Sequence, residues 1–301
     1  MIGRALVAAA AAAVVVGTPT PNQAPARADA TGSWADEDWA VFSDRVRWAV
    51  GAGLDTVDLG SAMARIGETF VGTAYVPGTL DPDGPERVVV DFRRLDCVTF
   101  VETVFATARF VRAFGTPALD DRPVAEARYE AFLADLRYRD GRLDGYASRL
   151  HYFSDWMADN ARRGRVIDLA DVLGAVADTE PVDFMTTHTE AYRQLADPSH
   201  VEAVRAVEAR LTAAGRRYVP EDLVASVADR IRDGDIVAAT STVPGLDVAH
   251  TGLALWRDGR LHLLHAPLVG SAVEISAVPL ADRIRAQPGQ DGVMVVRPVA
   301  S

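Results

Sequence analysis

Helical spacing through the first two-thirds of the chain, short apolar runs parted by turns in the last third, and no strand-helix-strand alternation predict an α+β fold. Helices come first and strands last, and the strands are expected to form one antiparallel sheet. With 301 residues, 49% of them hydrophobic, the chain can bury a core without disulfides. It carries no internal repeat, linker or low-complexity tract beyond its first thirty residues.

The amino terminus reads as an export signal. Arg4 precedes the apolar run Ala5 to Gly17, and a Pro-rich polar piece leads to small residues at Ala26-Arg27-Ala28. The run is shorter than the roughly 20 residues of a membrane span. We therefore expect a signal peptide over 1–28, a secreted, periplasmic or cell-envelope protein, and one catalytic domain over 29–301. No cysteine lies near the cleavage site, so no lipid anchor is expected. Cleavage would take the net charge from −11 to −13, which argues against nucleic acid as a partner.

From Ser33 to Val50 the apolar residues Trp34, Val41, Val46 and Trp48 sit among charges, as on a surface helix. Leu59, Met63, Ile66 and Phe70 mark a second helix that Gly72 can close. A loop rich in Gly and Pro follows, then the branched run Val88-Val89-Val90. Val98, Val101, Phe105, Ala108 and Val111 define a helix from about Cys97 to Ala113, with Asp96 as N-cap and Gly115 and Pro117 as its stop. Residues 118 to 230 read as a mostly helical insertion, including a helix ending near Arg163, an ambiguous stretch over 165–180, and a helix capped by Ser199 and Glu202.

The last third changes period. Residues 234–240, 250–256, 261–266 and 293–297 are expected strands. Asp258-Gly259 signals a two-residue hairpin in which Arg257 faces Arg260. Counting back with that register, Gly252 faces His265 and His250 faces Pro267, so the two histidines share one face while His262 points away. Diagonal neighbours lie roughly 7 to 8 Å apart at the backbone, within reach of two imidazoles, and Gly252 leaves the space between them open.

Cys97 is the only cysteine. In the first turn of a helix a thiol meets unpaired N–H groups and the positive end of the helix dipole, which favour the thiolate. Outside the cell a solitary thiol has no internal disulfide partner, which leaves burial as a small hydrophobe or catalysis. If its helix packs on the histidine face, a thiol, a base and an orienting group stand in a row. The alternatives are two satisfied core histidines, or a zinc site with Cys97, for which structural ligand spacings are absent. No metal and no cofactor is expected. Arg149, His151, Tyr152 and Trp156 form an aromatic, hydrogen-bonding cluster that reads equally as a core corner or a substrate wall.

Gly72-Thr73-Ala74-Tyr75, Asp96-Cys97, Gly234-Asp235-Ile236-Val237 and His250-Thr251-Gly252 resemble, in order, the markers of the NlpC-type cell-wall cysteine peptidases. Leu95 to Glu102, Tyr146 to Tyr152, Gly245 to His250 and Met294 to Pro298 resemble more closely the N-acetylmuramoyl-L-alanine amidase-like branch. The resemblance covers roughly residues 59 to 298. It implies a papain-like fold with Cys97 as nucleophile, His250 as base and His265 as third polar member. It also implies an amide of peptidoglycan fragments as substrate. Tyr75, whose hydroxyl can join the Cys97 N–H in holding the oxyanion, and Asp96 are expected substrate-binding residues. Ala74 departs from the superfamily's proline, and Asp96-Cys97-Val98-Thr99 from its Asp-Cys-Ser-Gly. The second departure is a trait of the amidase-like branch. Alternatives are a D-glutamyl-diamino acid endopeptidase, a wall-binding module without turnover, and an acyltransferase on the same scaffold.

Overall fold

The computed structural model describes residues 34–268 and 272–300, so the expected signal peptide over 1–28 lies outside the described residues. Among the described residues eight strands form one sheet, antiparallel at every pairing. Its order is β4 (Val176–Asp178), β5 (Arg216–Pro220), β10 (Gln290–Pro298), β6 (Ile236–Ser241), β7 (Val248–Arg257), β8 (Arg260–His265) and β9 (Glu274–Ile275). β3 (Val166–Asp168) pairs with the far end of β10. The architecture is thus mixed α and β around an antiparallel sheet.

Both faces of this sheet are covered, and side-chain parity sorts the two cores. Ile236, Ala238, Leu253, Leu255, Leu264 and Val296 pack against helices α1 (Asp36–Gly51), α2 (Leu59–Glu68), α3 (Cys97–Phe114) and α4 (Arg122–Arg137). Their neighbours Val237, Ala239, Ala254, Leu261, Leu263 and Val295 pack on the other side against Leu280 and Ile284 of the short helix Leu280–Ala286. Alternation along each strand makes this division unavoidable.

Helix α3 is the centre of the first core. Every residue from Thr99 to Val111 is buried, so the helix is enclosed all round rather than amphipathic. Its polar residues consequently need partners. Glu102 meets Arg137 of α4 at 2.7 Å, Arg109 meets Asp135 at 2.6 Å, and the Thr107 hydroxyl donates to the Thr103 carbonyl. Truncating a fully buried anchor such as Phe105 to Ala should cost about 3–5 kcal/mol.

Several expected elements move. In α1 the buried face is Phe42, Val46 and Ala49, whereas Trp48 is 41% exposed. The second helix stops at Thr69, three residues before Gly72. Residues 118–230 hold helices, including α5 (Phe153–Arg162), but also strands β3, β4 and β5, which extend the sheet. The ambiguous stretch over 165–180 is strand, one helical turn (Ala170–Leu173), then strand. The long helix Pro198–Ala214 is capped by Asp197, not Ser199, and on its inner face Glu208 is buried beside Val204.

Two of the sequence motifs are structural. Asp235 of Gly234-Asp235 grips Arg297 of Arg297-Pro298 through two hydrogen bonds, tying the start of β6 to the end of β10.

Candidate active site

Cys97 is positioned by what precedes it. β1 (Ala74–Tyr75) runs parallel to β2 (Arg94–Leu95), with Tyr75 beside Leu95, and the Val76 N–H donates to the Leu95 carbonyl. Asp96 then turns the chain into α3 with a reciprocal cap. Its carboxylate accepts from the Thr99 N–H at 2.8 Å, and the Thr99 hydroxyl accepts from the Asp96 N–H at 2.8 Å. The thiol thus sits in the first turn, half-buried in a cleft of about 200 Å³.

Burial and the neighbouring Asp96 carboxylate push the Cys97 thiol up to about 12, against the pull of the N–H groups of Thr251, Val98 and Cys97 itself. The first-turn amides do favour the thiolate, as expected, but burial outweighs them. The resting group is a thiol. Tyr75 faces the same sulfur, and burial with the nearby Cys97 and Asp96 raises its hydroxyl, which stays a proton donor.

The hairpin behaves as its sequence requires. Asp258 and Gly259 both take positive φ, 49° and 73°, and Arg257 pairs with Arg260. Leu253 pairs with Leu264, which carries Gly252 to His265 on the same register. His250 Nε2 lies 2.8 Å from His265 Nδ1, with the rings nearly perpendicular. Gly252 is obligatory between them, since a Cβ there would stand 2.7 Å from the Leu264 carbonyl oxygen and 2.9 Å from the His265 Cβ. Burial lowers both imidazoles, His250 well below its ordinary range and His265 to about 3, with Arg283 adding to the effect.

The body of α3 does not pack on the histidine face. It covers Leu253 and Leu255, whereas His250 and Gly252 share parity with Ala254 and look toward the helix bearing Arg283. The meeting occurs at an edge instead. β8 ends at His265, so beyond Gly252 no strand among the described residues lines that side of β7, and the α3 amino terminus occupies the place. There the Thr251 N–H reaches the Cys97 sulfur, and Cys97 and His250 line one cleft. His250 Nε2 is engaged by His265, which leaves Nδ1 as the nitrogen available to the cleft.

Tyr75, Asp96, His151 and Tyr152 also line the cleft. Asp96 Oδ1 is held by the cap. His151 Nε2 donates to the Tyr146 carbonyl at 2.9 Å, leaving Nδ1 as an acceptor. Two expected wall residues are absent from the cleft. Arg149 is buried and bound to Asp81, Glu86 and the Leu80 carbonyl. Trp156 is fully buried and donates to Glu102, so both are structural.

The remaining wall comes from Val98, Phe153, Met185, Tyr192, Leu246 and Asp247. Met185 and Tyr192 belong to the insertion, and the Asp183 to His188 stretch had only its irregular composition as a signal. Glu208 holds this wall: it accepts from the Tyr152 hydroxyl at 2.7 Å and from the Thr186 N–H and hydroxyl, while the Met185 N–H donates to the Tyr152 oxygen. Asp247 accepts from the N–H groups of Ser154 and Val248. Among the described residues no cluster of three His, Cys, Asp or Glu side chains could hold a metal ion, and no helix is long and apolar enough to cross a membrane.

Residues 65–293 match the family described as N-acetylmuramoyl-L-alanine amidase-like (AmiA-like). A crystal structure of an N-acetylmuramoyl-L-alanine amidase from Bacteroides uniformis is 34% identical over 80% of this chain and 99% of its own, with a TM-score of 0.73. A Bacteroides fragilis protein provisionally named a xylanase is 33% identical over 77% of this chain and 98% of its own, with a TM-score of 0.69. A Legionella pneumophila protein shares the fold at 19% identity and a TM-score of 0.63, over 87% of this chain and 95% of its own. No curated protein matches the chain.

Proposed function

The chain belongs to the N-acetylmuramoyl-L-alanine amidase-like family, and from that premise we propose that it hydrolyses the amide joining the lactyl group of N-acetylmuramic acid to L-alanine in peptidoglycan fragments. The observation that carries the reading is the shared cleft: Cys97 at a helix start beside His250, itself bound to His265 at 2.8 Å. In the reaction His250 Nδ1 takes the thiol proton as sulfur attacks the lactyl carbonyl. The Cys97 N–H and the Tyr75 hydroxyl hold the developing oxyanion. His250 then returns the proton to the departing alanine nitrogen, leaving a lactyl thioester. Water, deprotonated by His250, attacks that thioester and frees the sugar acid, and the proton goes back to sulfur.

The lining of the cleft favours this bond over its neighbours. It contains no arginine among the described residues, Arg283 facing the imidazole pair without lining the cleft, and the chain has no lysine. The amide between lactyl and alanine is flanked by neutral groups. A D-glutamyl-diamino acid bond carries carboxylates on its flanks and would call for a cation in the wall. A glycosidase would need two carboxylates flanking the scissile bond, whereas both oxygens of Asp247 accept from backbone N–H groups and Asp96 Oδ1 is held by the helix cap.

The finer assignments belong to the same proposal: a papain-like, NlpC-type arrangement, export through residues 1–28, and peptidoglycan fragments rather than nucleic acid as partner. Digestion of a purified muropeptide tests the function by product mass. Free intact stem peptide supports the amidase; release of a piece beginning with the diamino acid refutes it in favour of the endopeptidase.

A further inference from the structure

His265 carries an unanswered polar group. Its side chain is buried, Nδ1 is bound to His250, and Nε2 has no hydrogen-bond partner. A buried donor or acceptor left unpaired is costly, and such atoms in native structures call for an explanation. Directly across the β8–β9 ladder from His265 stands Glu274, with Oε1 3.8 Å from Nε2.

Proton bookkeeping along the row gives that contact a role. For His250 to accept a proton at Nδ1, its own proton must sit on Nε2 and be donated to His265 Nδ1. His265 Nδ1 must then be bare, so the neutral His265 ring carries its proton on Nε2. That N–H is on the very nitrogen that lacks a partner, and the Glu274 carboxylate is the acceptor beside it. We propose that Glu274 is a positioning residue of this enzyme: its carboxylate accepts from His265 Nε2 and so fixes the tautomers of both imidazoles, keeping His250 Nδ1 free for the Cys97 proton. The proposal rests on the reading of Cys97 and His250 as the reacting pair.

Glu274 is half exposed, so a change of side-chain rotamer brings its oxygen from 3.8 Å into hydrogen-bond range. The contact is a neutral N–H donating to a carboxylate rather than an ion pair, because the groups around His265 oppose its protonation. Arg283 from the helix Leu280–Ala286 faces both imidazoles, His250 is neutral, and burial acts in the same direction. Glu274 also stands within electrostatic reach of Arg283.

The test compares Glu274→Ala and Glu274→Gln with the parent by two readouts. Nitrogen-15 NMR of the imidazoles reports tautomers in the resting protein, with no need of substrate. Muropeptide turnover reports kcat and KM. We expect the parent to show His250 protonated on Nε2 and His265 on Nε2. Glu274→Ala should mix the tautomers and lower kcat about tenfold with KM unchanged within about twofold. Glu274→Gln keeps an acceptor oxygen and should restore both readouts to within about threefold of the parent. Unchanged tautomers and unchanged kcat in Glu274→Ala, or a parent His250 protonated on Nδ1, would overturn the proposal. Because the tautomers are read without substrate, a protein that cleaves no muropeptide yet shows the expected tautomer shift would refute the function while leaving the role of Glu274 standing.

Discussion

His250 Nε2 and His265 Nδ1 lie 2.8 Å apart across the β7–β8 hairpin, so the second imidazole holds the orientation of the first. Replacing His265 with Ala removes that hold and also leaves His250 Nε2 facing a hole. We expect kcat to fall by about tenfold to a hundredfold with little change in KM. His265→Asn, whose side-chain oxygen can accept from Nε2, should recover part of the loss in the same steady-state assay.

Burial of this pair sets a pH dependence of stability. His265 titrates near 6.5 when unfolded and near 3 in the fold, so below 6.5 the unfolded chain binds the extra proton. Its contribution to stability is therefore complete above pH 6.5 and is lost as pH falls toward about 3. Melting temperature recorded across this window should fall toward acid in the parent and fall less steeply in His265→Gln.

Cys97 and His250 rest as thiol and neutral imidazole, with Cys97 pushed up to about 12 and His250 pushed well down. Neither group changes charge near pH 7. The rate should hold level from pH 6.5 into the alkaline range instead of tracing a bell centred on neutrality, and iodoacetamide should alkylate Cys97 slowly at pH 7. A thiolate-imidazolium pair would show rapid alkylation there.

Much of this was legible before any coordinates. Asp258-Gly259 supplied the turn chemistry, and strand parity then brought His250 to His265 across fifteen residues. Asp96 as N-cap, with the apolar spacing that follows it, announced the helix that presents Cys97. What stayed hidden depends on distant partners. Arg149 and Trp156 read equally as core corner or substrate wall, and only folding, which sets Asp81 against one and Glu102 against the indole of the other, decides for the core. Likewise Met185 and Tyr192 reach the cleft because Glu208, on another helix, holds their segment, which no local periodicity encodes. Which face α3 covers stayed open, because parity fixes which side a residue faces, not where a neighbouring strand ends.

Arg149 and Trp156 should therefore respond as structural residues. Arg149→Ala leaves Glu86 buried without its cation and should cost about 3–5 kcal/mol of stability by denaturant titration. At temperatures where the variant is folded, KM should match the parent.

Gly252→Ala offers a sharper test of close packing. The added methyl meets the Leu264 carbonyl oxygen and the His265 Cβ, both closer than 3.0 Å. We expect a loss of about 1–3 kcal/mol in stability together with a fall in kcat, since the strain falls on the residue that orients His250.

The most direct measurement of the central claim is the intact mass of the protein quenched in acid during turnover of a muropeptide. The account predicts an adduct confined to Cys97 whose mass is that of the sugar with its lactyl acyl group and contains no amino acid. An adduct carrying alanine or glutamate, or turnover undiminished in Cys97→Ser, would contradict it.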